Sequence, residues 1–204
     1  LVTLEKVLSQ TGSGRGIIFC NVKGTLRFVA DFLDSRNIDY AVFMGGLEQT
    51  ERERALIKFR NGTHRLLLST DLAARGIDVP ELDFIIHFQL PSKEAEFTHR
   101  NGRTARMHAN GTAYLMHWDG YALPDYVTDA EDIDLDPEPG NVQNSKWSTL
   151  YISAGRKDKV SKGDIAGMLF KLGGLGKGEL GVIELLADCT FVIVPSITQK
   201  VRIV

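Results

Sequence analysis

Short apolar runs alternate with amphipathic stretches along the first half of the chain. The runs predict strands over 16–20, 40–43, 65–69, 84–88 and 111–117. Helical periodicity falls between them, over 2–9, 25–36, 47–59 and 93–101. Leu26, Val29, Ala30, Phe32 and Leu33 form one apolar stripe of the second of these helices. Leu66-Leu67-Leu68 is apolar without alternation, the mark of a strand buried on both faces. Strand and helix in turn imply βαβ units, hence an α/β fold with a parallel sheet and helices on both faces.

The pattern lapses over 119–145 and restarts at Lys146. A strand is expected over 149–154 and a helix over 161–172, with Ser161 as N-cap and Asp164 as the capping-box acid. Gly173, Gly174 and Gly176 stop that helix. Two strands, 182–186 and 190–194, are joined by Ala187-Asp188-Cys189 as a tight hairpin, and another helix begins at Thr198. This β-α-β-β-α order lacks a final strand, so the small α+β domain reads as cut short. The expected domains are 1–118, an acidic linker over 119–145, and 146–204.

Charge sharpens this division. The net charge of −2 conceals +2 over 1–106, −8 over 107–145 and +4 over 146–204. Two lobes able to meet polyanions flank a segment that repels them, and self-repulsion should hold that segment extended. An acidic docking strip is the alternative for it. Cys20 and Cys189 lie far apart, each in an apolar run, and read as inert buried thiols without metal-ligand spacing. No signal peptide is visible and no apolar run approaches the ~20 residues of a membrane span, so the chain reads as cytoplasmic.

Two stretches concentrate chemistry. Residues 97–106 read Phe-Thr-His-Arg-Asn-Gly-Arg-Thr-Ala-Arg, three arginines and a histidine within eight positions. Guanidinium forks onto phosphate oxygens, which suits a triphosphate; a solvated basic helix end is the plainer alternative. Residues 66–78 read Leu-Leu-Leu-Ser-Thr-Asp-Leu-Ala-Ala-Arg-Gly-Ile-Asp, a buried strand that hands over to a turn where α/β sheets bind ligands. Together, Thr-Asp-x-Ala-Ala-Arg-Gly-x-Asp and His-Arg-x-Gly-Arg-Thr-x-Arg resemble the second RecA-like domain of DEAD-box RNA helicases.

That resemblance covers about residues 1–118. It implies that Arg103 and Arg106 are arginine fingers on the γ-phosphate and that Gly76 and Asp78 complete the nucleotide contact, Asp78 at the ribose. His99 and Arg100 would couple the cleft to the partner domain. Asn21, Gly45, Gln49, Arg52, Thr70 and Asp71 would meet RNA. For Gln49 and Arg52 an ordinary capped helix is the alternative. The family usually has threonine where Val22 stands and glycine where Ala105 stands. No Gly-x-x-x-x-Gly-Lys-Ser/Thr and no Asp-Glu-Ala-Asp occurs. The ATP site, with its Mg²⁺, would therefore be shared with an N-terminal RecA-like domain, and this chain alone should not hydrolyse ATP.

The last segment is similar to an RNA recognition motif. Leu150-Tyr151-Ile152-Ser153-Ala154-Gly155 fits its first strand and places Tyr151 on the open sheet face. In the third strand Cys189 and Val194 stand where aromatics are expected, leaving Phe191. Arg156, Lys157, Lys159 and Lys162 form an anion-seeking edge near a helix N-terminus. The order of these features resembles the RNA-binding domain of the DbpA/YxiN group of DEAD-box proteins; a generic basic α/β domain is the alternative. The resemblance implies an RNA-stimulated ATPase that unwinds short duplexes, directed to a 23S rRNA hairpin or a pre-50S particle. A non-enzymatic RNA-binding or annealing module is the rival, and a DNA helicase half a third reading.

Overall fold

The computed structural model describes residues 1–70, 79, 82–104 and 111–196. The chain divides into two compact units, Leu1–Phe59 with His64–Asn144, and Arg60–Thr63 with Ser145–Val204.

The first unit holds helices α1 (Val2–Gln10), α2 (Lys23–Ser35), α3 (Gln49–Arg60) and α4 (Glu94–Asn101). Its strands are β1 (Gly16–Cys20), β2 (Tyr40–Phe43), β3 (Leu66–Thr70), β4 (Phe84–His87) and β5 (Thr112–Leu115). The sheet runs β2-β3-β1-β4-β5, with every pair parallel. Side chains of period 2 then split the core in two. Ile18, Cys20, Leu66, Leu68 and Ile86 pack against Leu4 and Leu8 of α1 and Leu26, Val29 and Leu33 of α2. Ile17, Phe19, Leu67 and Ile85 join Phe43 and Phe59 in the second cluster, with Ala55 and Leu56 of α3 against it. Helices thus cover both faces, and the central strands are buried along their whole length. Gly16 is fixed by closeness, since a Cβ there would lie 2.2 Å from the Phe84 ring.

Residues 119–144, expected as an extended linker, contain no helix or strand but are laid against this unit. Apolar side chains interspersed among the acids do this. Leu135 and Val142 pack on the larger core cluster. The Tyr126 hydroxyl donates to the Pro91 carbonyl. Asn144 accepts from the Asp39 N–H at 2.8 Å and donates to the Asn37 carbonyl at 2.7 Å. Arg65, 4% exposed, donates from Nε to the Gln143 carbonyl at 2.5 Å. Its other nitrogens reach Leu8 and Gly14 carbonyls and the Thr11 hydroxyl, closing the end of α1. Burial holds that guanidinium below the ordinary arginine range.

The second unit is a three-stranded antiparallel sheet, β6 (Trp147–Ile152), β7 (Ile183–Leu185) and β8 (Thr190–Pro195), in the order β6-β8-β7. Helix α5 (Lys162–Lys171) covers one face through Ile165 and Leu169, which meet Val192 and Val194. The capping box is formed. Ser161 Oγ accepts from the Asp164 N–H at 3.2 Å, and Asp164 accepts from the Ser161 N–H at 2.9 Å. The helix expected from Thr198 lies outside the described residues. Cys20 is buried and its thiol is pushed up to about 12 by burial, in line with an inert thiol; Cys189 is only half-buried, because it sits at the hairpin turn.

Candidate functional site

The carboxyl ends of β1 to β4 gather most of the expected residues along one edge of the first unit. Cys20 and Thr70 are register partners, so Asn21 leaves the sheet beside the end of β3. Thr70 is 7% exposed. Gly45 and Gly46 follow β2, and Gly46 has φ +100°, a conformation that glycine adopts freely. A Cβ on Gly46 would stand 3.0 Å from Lys23 Nζ, so the start of α2 and the glycine turn converge. Lys23 is exposed and joins the expected residues from outside their number; its signal in the sequence is a cation at a helix start inside the Ile17–Lys23 motif. The preceding Val22 is the N-cap of α2 and gives no side-chain cap.

Arg52 lies on α3 with its guanidinium 4.9 Å from the Phe43 ring centre, a cation–π contact at the end of β2. Its Nε is buried without a hydrogen-bond partner among the described residues. Gln49 is exposed and donates to Glu53 at 3.0 Å.

Arg100, expected to couple the cleft to the partner domain together with His99, lies inside the unit. It is 1% exposed and sits at the centre of a buried network. Nη2 donates to Asn21 Oδ1 at 2.8 Å, and Nη1 donates to the Gln89 carbonyl at 2.7 Å. Nη1 also lies 3.3 Å from His87 Nδ1, and the guanidinium stands 5.0 Å from the Phe19 ring centre. An arginine can only donate, so His87 Nδ1 accepts. His87 Nε2 then carries the proton and donates to Asn101 Oδ1 at 2.9 Å. Asn21 is held further, from its N–H to Gln89 Oε1 at 3.0 Å and from Nδ2 to the Leu90 carbonyl at 2.8 Å. Both polar ends of the Asn21 side chain are therefore engaged inside the unit, and its position is tied to α4 through Arg100. Gln89 and His87, missed in the sequence because neither stands in the quoted motifs, complete that tie.

Arg103 follows the end of α4, where its N–H bonds the Arg100 carbonyl at 3.1 Å. Its Nη2 donates to Nε2 of exposed His99 at 2.7 Å, which places the imidazole proton on Nδ1. His99 and Arg103 thus form one donor surface at the helix end. Asp71, Gly76, Asp78 and Arg106 lie outside the described residues, as do Ala105 and His108. Among the described residues no group of three His, Cys, Asp or Glu is arranged to hold a metal. No described helix is long and apolar enough to cross a membrane.

In the second unit Arg156–Asp158 form a 3₁₀ turn locked to the β7–β8 hairpin. The N–H groups of Arg156 and Lys157 donate to Leu186 and Ala187 carbonyls at 2.9 and 2.7 Å. Gly155 permits this approach, since a Cβ would lie 2.6 Å from the backbone nitrogens of Asp188 and Cys189. Arg156, Lys157, Lys159 and Lys162 are all exposed. Tyr151 stands opposite Phe191 with ring centres 5.5 Å apart, but Tyr151 is 53% exposed and Phe191 only 4%. The open ring is therefore Tyr151 alone.

Comparison with known proteins finds a match for each of the two units. Residues 1–108 match the helicase conserved C-terminal domain, and residues 149–200 match the DbpA RNA binding domain. The ATP-dependent RNA helicase DbpA of Escherichia coli (strain K12) is 31% identical over 192 residues, 88% of this chain and 41% of that protein. Its namesake in Bacillus subtilis (strain 168) is 25% identical over 218 residues, 93% of this chain and 46% of that protein. The chain thus spans less than half the length of these relatives. Among solved structures, S. cerevisiae Dbp5 bound to RNA and ADP BeF3 superposes with a TM-score of 0.54 at 30% identity, covering 57% of this chain and 31% of that one. The E. coli DEAD-box protein SrmB, solved with the regulator of ribonuclease activity A, gives 0.52 at 32% identity, covering 55% and 66%. With the helicase match reaching over more than half of the chain and the second match following it in order, the chain belongs to the DEAD-box RNA helicase family, as a helicase C-terminal domain joined to a DbpA-type RNA-binding domain.

Proposed function

We propose that this chain is the second half of an RNA-stimulated ATPase that opens short RNA duplexes, with its last unit directing it to structured RNA of the large ribosomal subunit. The observation that carries the reading is the order of two matched domains, helicase C-terminal then DbpA RNA binding. The first unit supplies backbone contacts. Lys23, Gly45, Gln49 and Thr70 lie at the carboxyl edge of a parallel sheet, where Lys23 offers charge and the glycine turn offers close approach. Asn21, held by Arg100 and Gln89, presents the turn after β1 rather than a free amide. Asp71 is assigned to the same RNA contact.

Arg103 and Arg106 are assigned to the γ-phosphate, where guanidinium stabilises charge that grows toward the transition state. Gly76 and Asp78 are assigned to the nucleoside side. Mg²⁺ and the rest of the triphosphate site are assigned in this reading to an N-terminal RecA-like domain, for which the relatives' greater length leaves room. His99, bonded to Arg103, couples the two domains. Release of Arg103 from His99 is then part of closing on ATP.

Addressing falls to the second unit through Arg156, Lys157, Lys159, Lys162 and the exposed Tyr151 ring. The test is binding of the full chain to a 23S rRNA hairpin and to a scrambled hairpin of equal length, across a salt series. A preference of ~100-fold that survives moderate salt is expected. Equal binding that collapses with salt would sink the addressing role. ATP hydrolysis by this chain alone, stimulated by RNA, would sink the shared-site reading.

A further inference from the structure

The first unit carries a groove of about 1410 Å³ beside β5. Three features of it belong together. One wall is β5 itself, an edge strand of the sheet among the described residues. In that strand the N–H groups of Thr112 and Met116 donate to β4 and its flank at 3.0 and 3.1 Å, so the alternate residues Ala113 and Leu115 turn their backbone groups outward. An edge of this kind is a template for another strand. The floor is apolar, and Phe28 and Trp118, which line it, are 57% and 81% exposed. The rim is acidic: Asp119, Asp129, Glu131 and Asp132 line the groove, and among the described lining residues there is no Lys or Arg.

We propose that this groove docks an extended, basic segment of a partner protein that adds to β5 as a further strand. Its main chain bonds Ala113 and Leu115. Its alternate apolar side chains lie toward Phe28 and Trp118, and its lysines or arginines meet the carboxylates of the rim. The occupant follows from charge. A run of 107–145 without one Lys or Arg repels nucleic acid and attracts cations, and only a polypeptide satisfies an open strand edge. The groove is lined by none of Lys23, Gly45, Gln49 and Thr70, the carboxyl-edge residues assigned to RNA, and meets the network behind that edge only at Gln89 and Asn101, so the partner segment and the RNA backbone are offered different residues.

The test uses the full chain with Trp147→Phe, which leaves Trp118 as the one tryptophan. The probe is a blocked octapeptide alternating lysine or arginine with valine, compared with its glutamate–valine counterpart and with an oligouridylate of equal length. The expected result is a blue shift of Trp118 with the basic peptide and slowed amide exchange at Ala113 and Leu115. The affinity should fall by ~10-fold or more in the triple variant Asp129→Lys, Glu131→Lys, Asp132→Lys. Ala113→Pro should abolish binding, because it removes the outward N–H while sparing the bonds to β4. Should Ala113→Pro not fold, the triple variant on exposed positions still decides. Equal binding of the acidic peptide, no added protection at Ala113 and Leu115, or displacement of the basic peptide by the oligouridylate would each overturn the proposal.

Discussion

Single side chains decide how the carboxyl edge is held. Arg100 is worth more as a buried brace than as a charge. It satisfies Asn21, the Gln89 carbonyl and His87 at once. Arg100→Met leaves those acceptors unpaired and should cost roughly 2–4 kcal/mol. Arg100→Lys should recover less than half, since an ammonium cannot fork between the turn after β1 and the loop after β4. Urea unfolding followed by far-ultraviolet circular dichroism measures this; an unchanged midpoint for Arg100→Met would refute the brace. His64 gives a second handle. Burial, then Lys58, holds its imidazole below the ordinary histidine range, against a smaller upward pull from Asp39, and its Nδ1 is buried without a hydrogen-bond partner among the described residues. The unfolded chain therefore binds the proton more readily than the folded one. Stability should be intact above the unfolded value of about 6.5 and fall as pH drops from there toward the lower folded value. His64→Gln should flatten that part of the stability–pH curve, and parallel curves for the two proteins would disprove the assignment.

At the scale of elements, two helix starts make a matched pair. Helix α5 has a complete capping box from Ser161 and Asp164, whose carboxyl is held below the usual range first by the Ser161 hydroxyl. Helix α2 begins at Val22, which has the extended backbone of an N-cap but no oxygen to accept from the first turn. Ser161→Ala should destabilise the second unit by about 1 kcal/mol, and Val22→Thr should stabilise the first by a similar amount, since Val22 is 55% exposed and gives up no core packing. Calorimetric melts of each variant beside the unsubstituted chain measure the two changes. Much of this was legible in the sequence, because a helix with Ser161 and Asp164 three apart, or a strand of three leucines, announces itself locally. The β7 strand is shorter than its apolar run, at Ile183–Leu185, and β3 ends one residue later than its run, at Thr70. Local pattern does not carry the ladder that fixes such ends. The path of 119–144 was hidden for a related reason. Its charge is visible in one dimension, but Tyr126, Leu135 and Val142 acquire meaning only once Pro91 and the core cluster are beside them. Arg100 was legible as a functional arginine by its motif and illegible as a buried one, because its partners come from the ends of β1 and β4.

For the whole molecule, the informative quantity is how charge is divided rather than its total. The first unit, with its carboxyl edge, carries the acids of 107–144, whereas the segment from Lys146 on carries +4 in an otherwise small fold. Phosphate affinity that depends on salt should therefore reside largely in the second unit, and loss of that unit should be selective. Removing 145–204 should leave the first unit folded, because its core clusters contain no residue beyond Val142. The truncated chain should keep the circular dichroism of a parallel α/β sheet and a cooperative thermal transition. It should also lose any preference for a 23S rRNA hairpin over its scrambled counterpart, and the slope of log affinity against log salt should flatten by about one for each phosphate that is no longer neutralised. A truncated chain that keeps the preference would place recognition on the carboxyl edge of the first unit, at Gln49 and Thr70, and would leave the cations of Arg156 to Lys162 with a role in non-specific attraction alone.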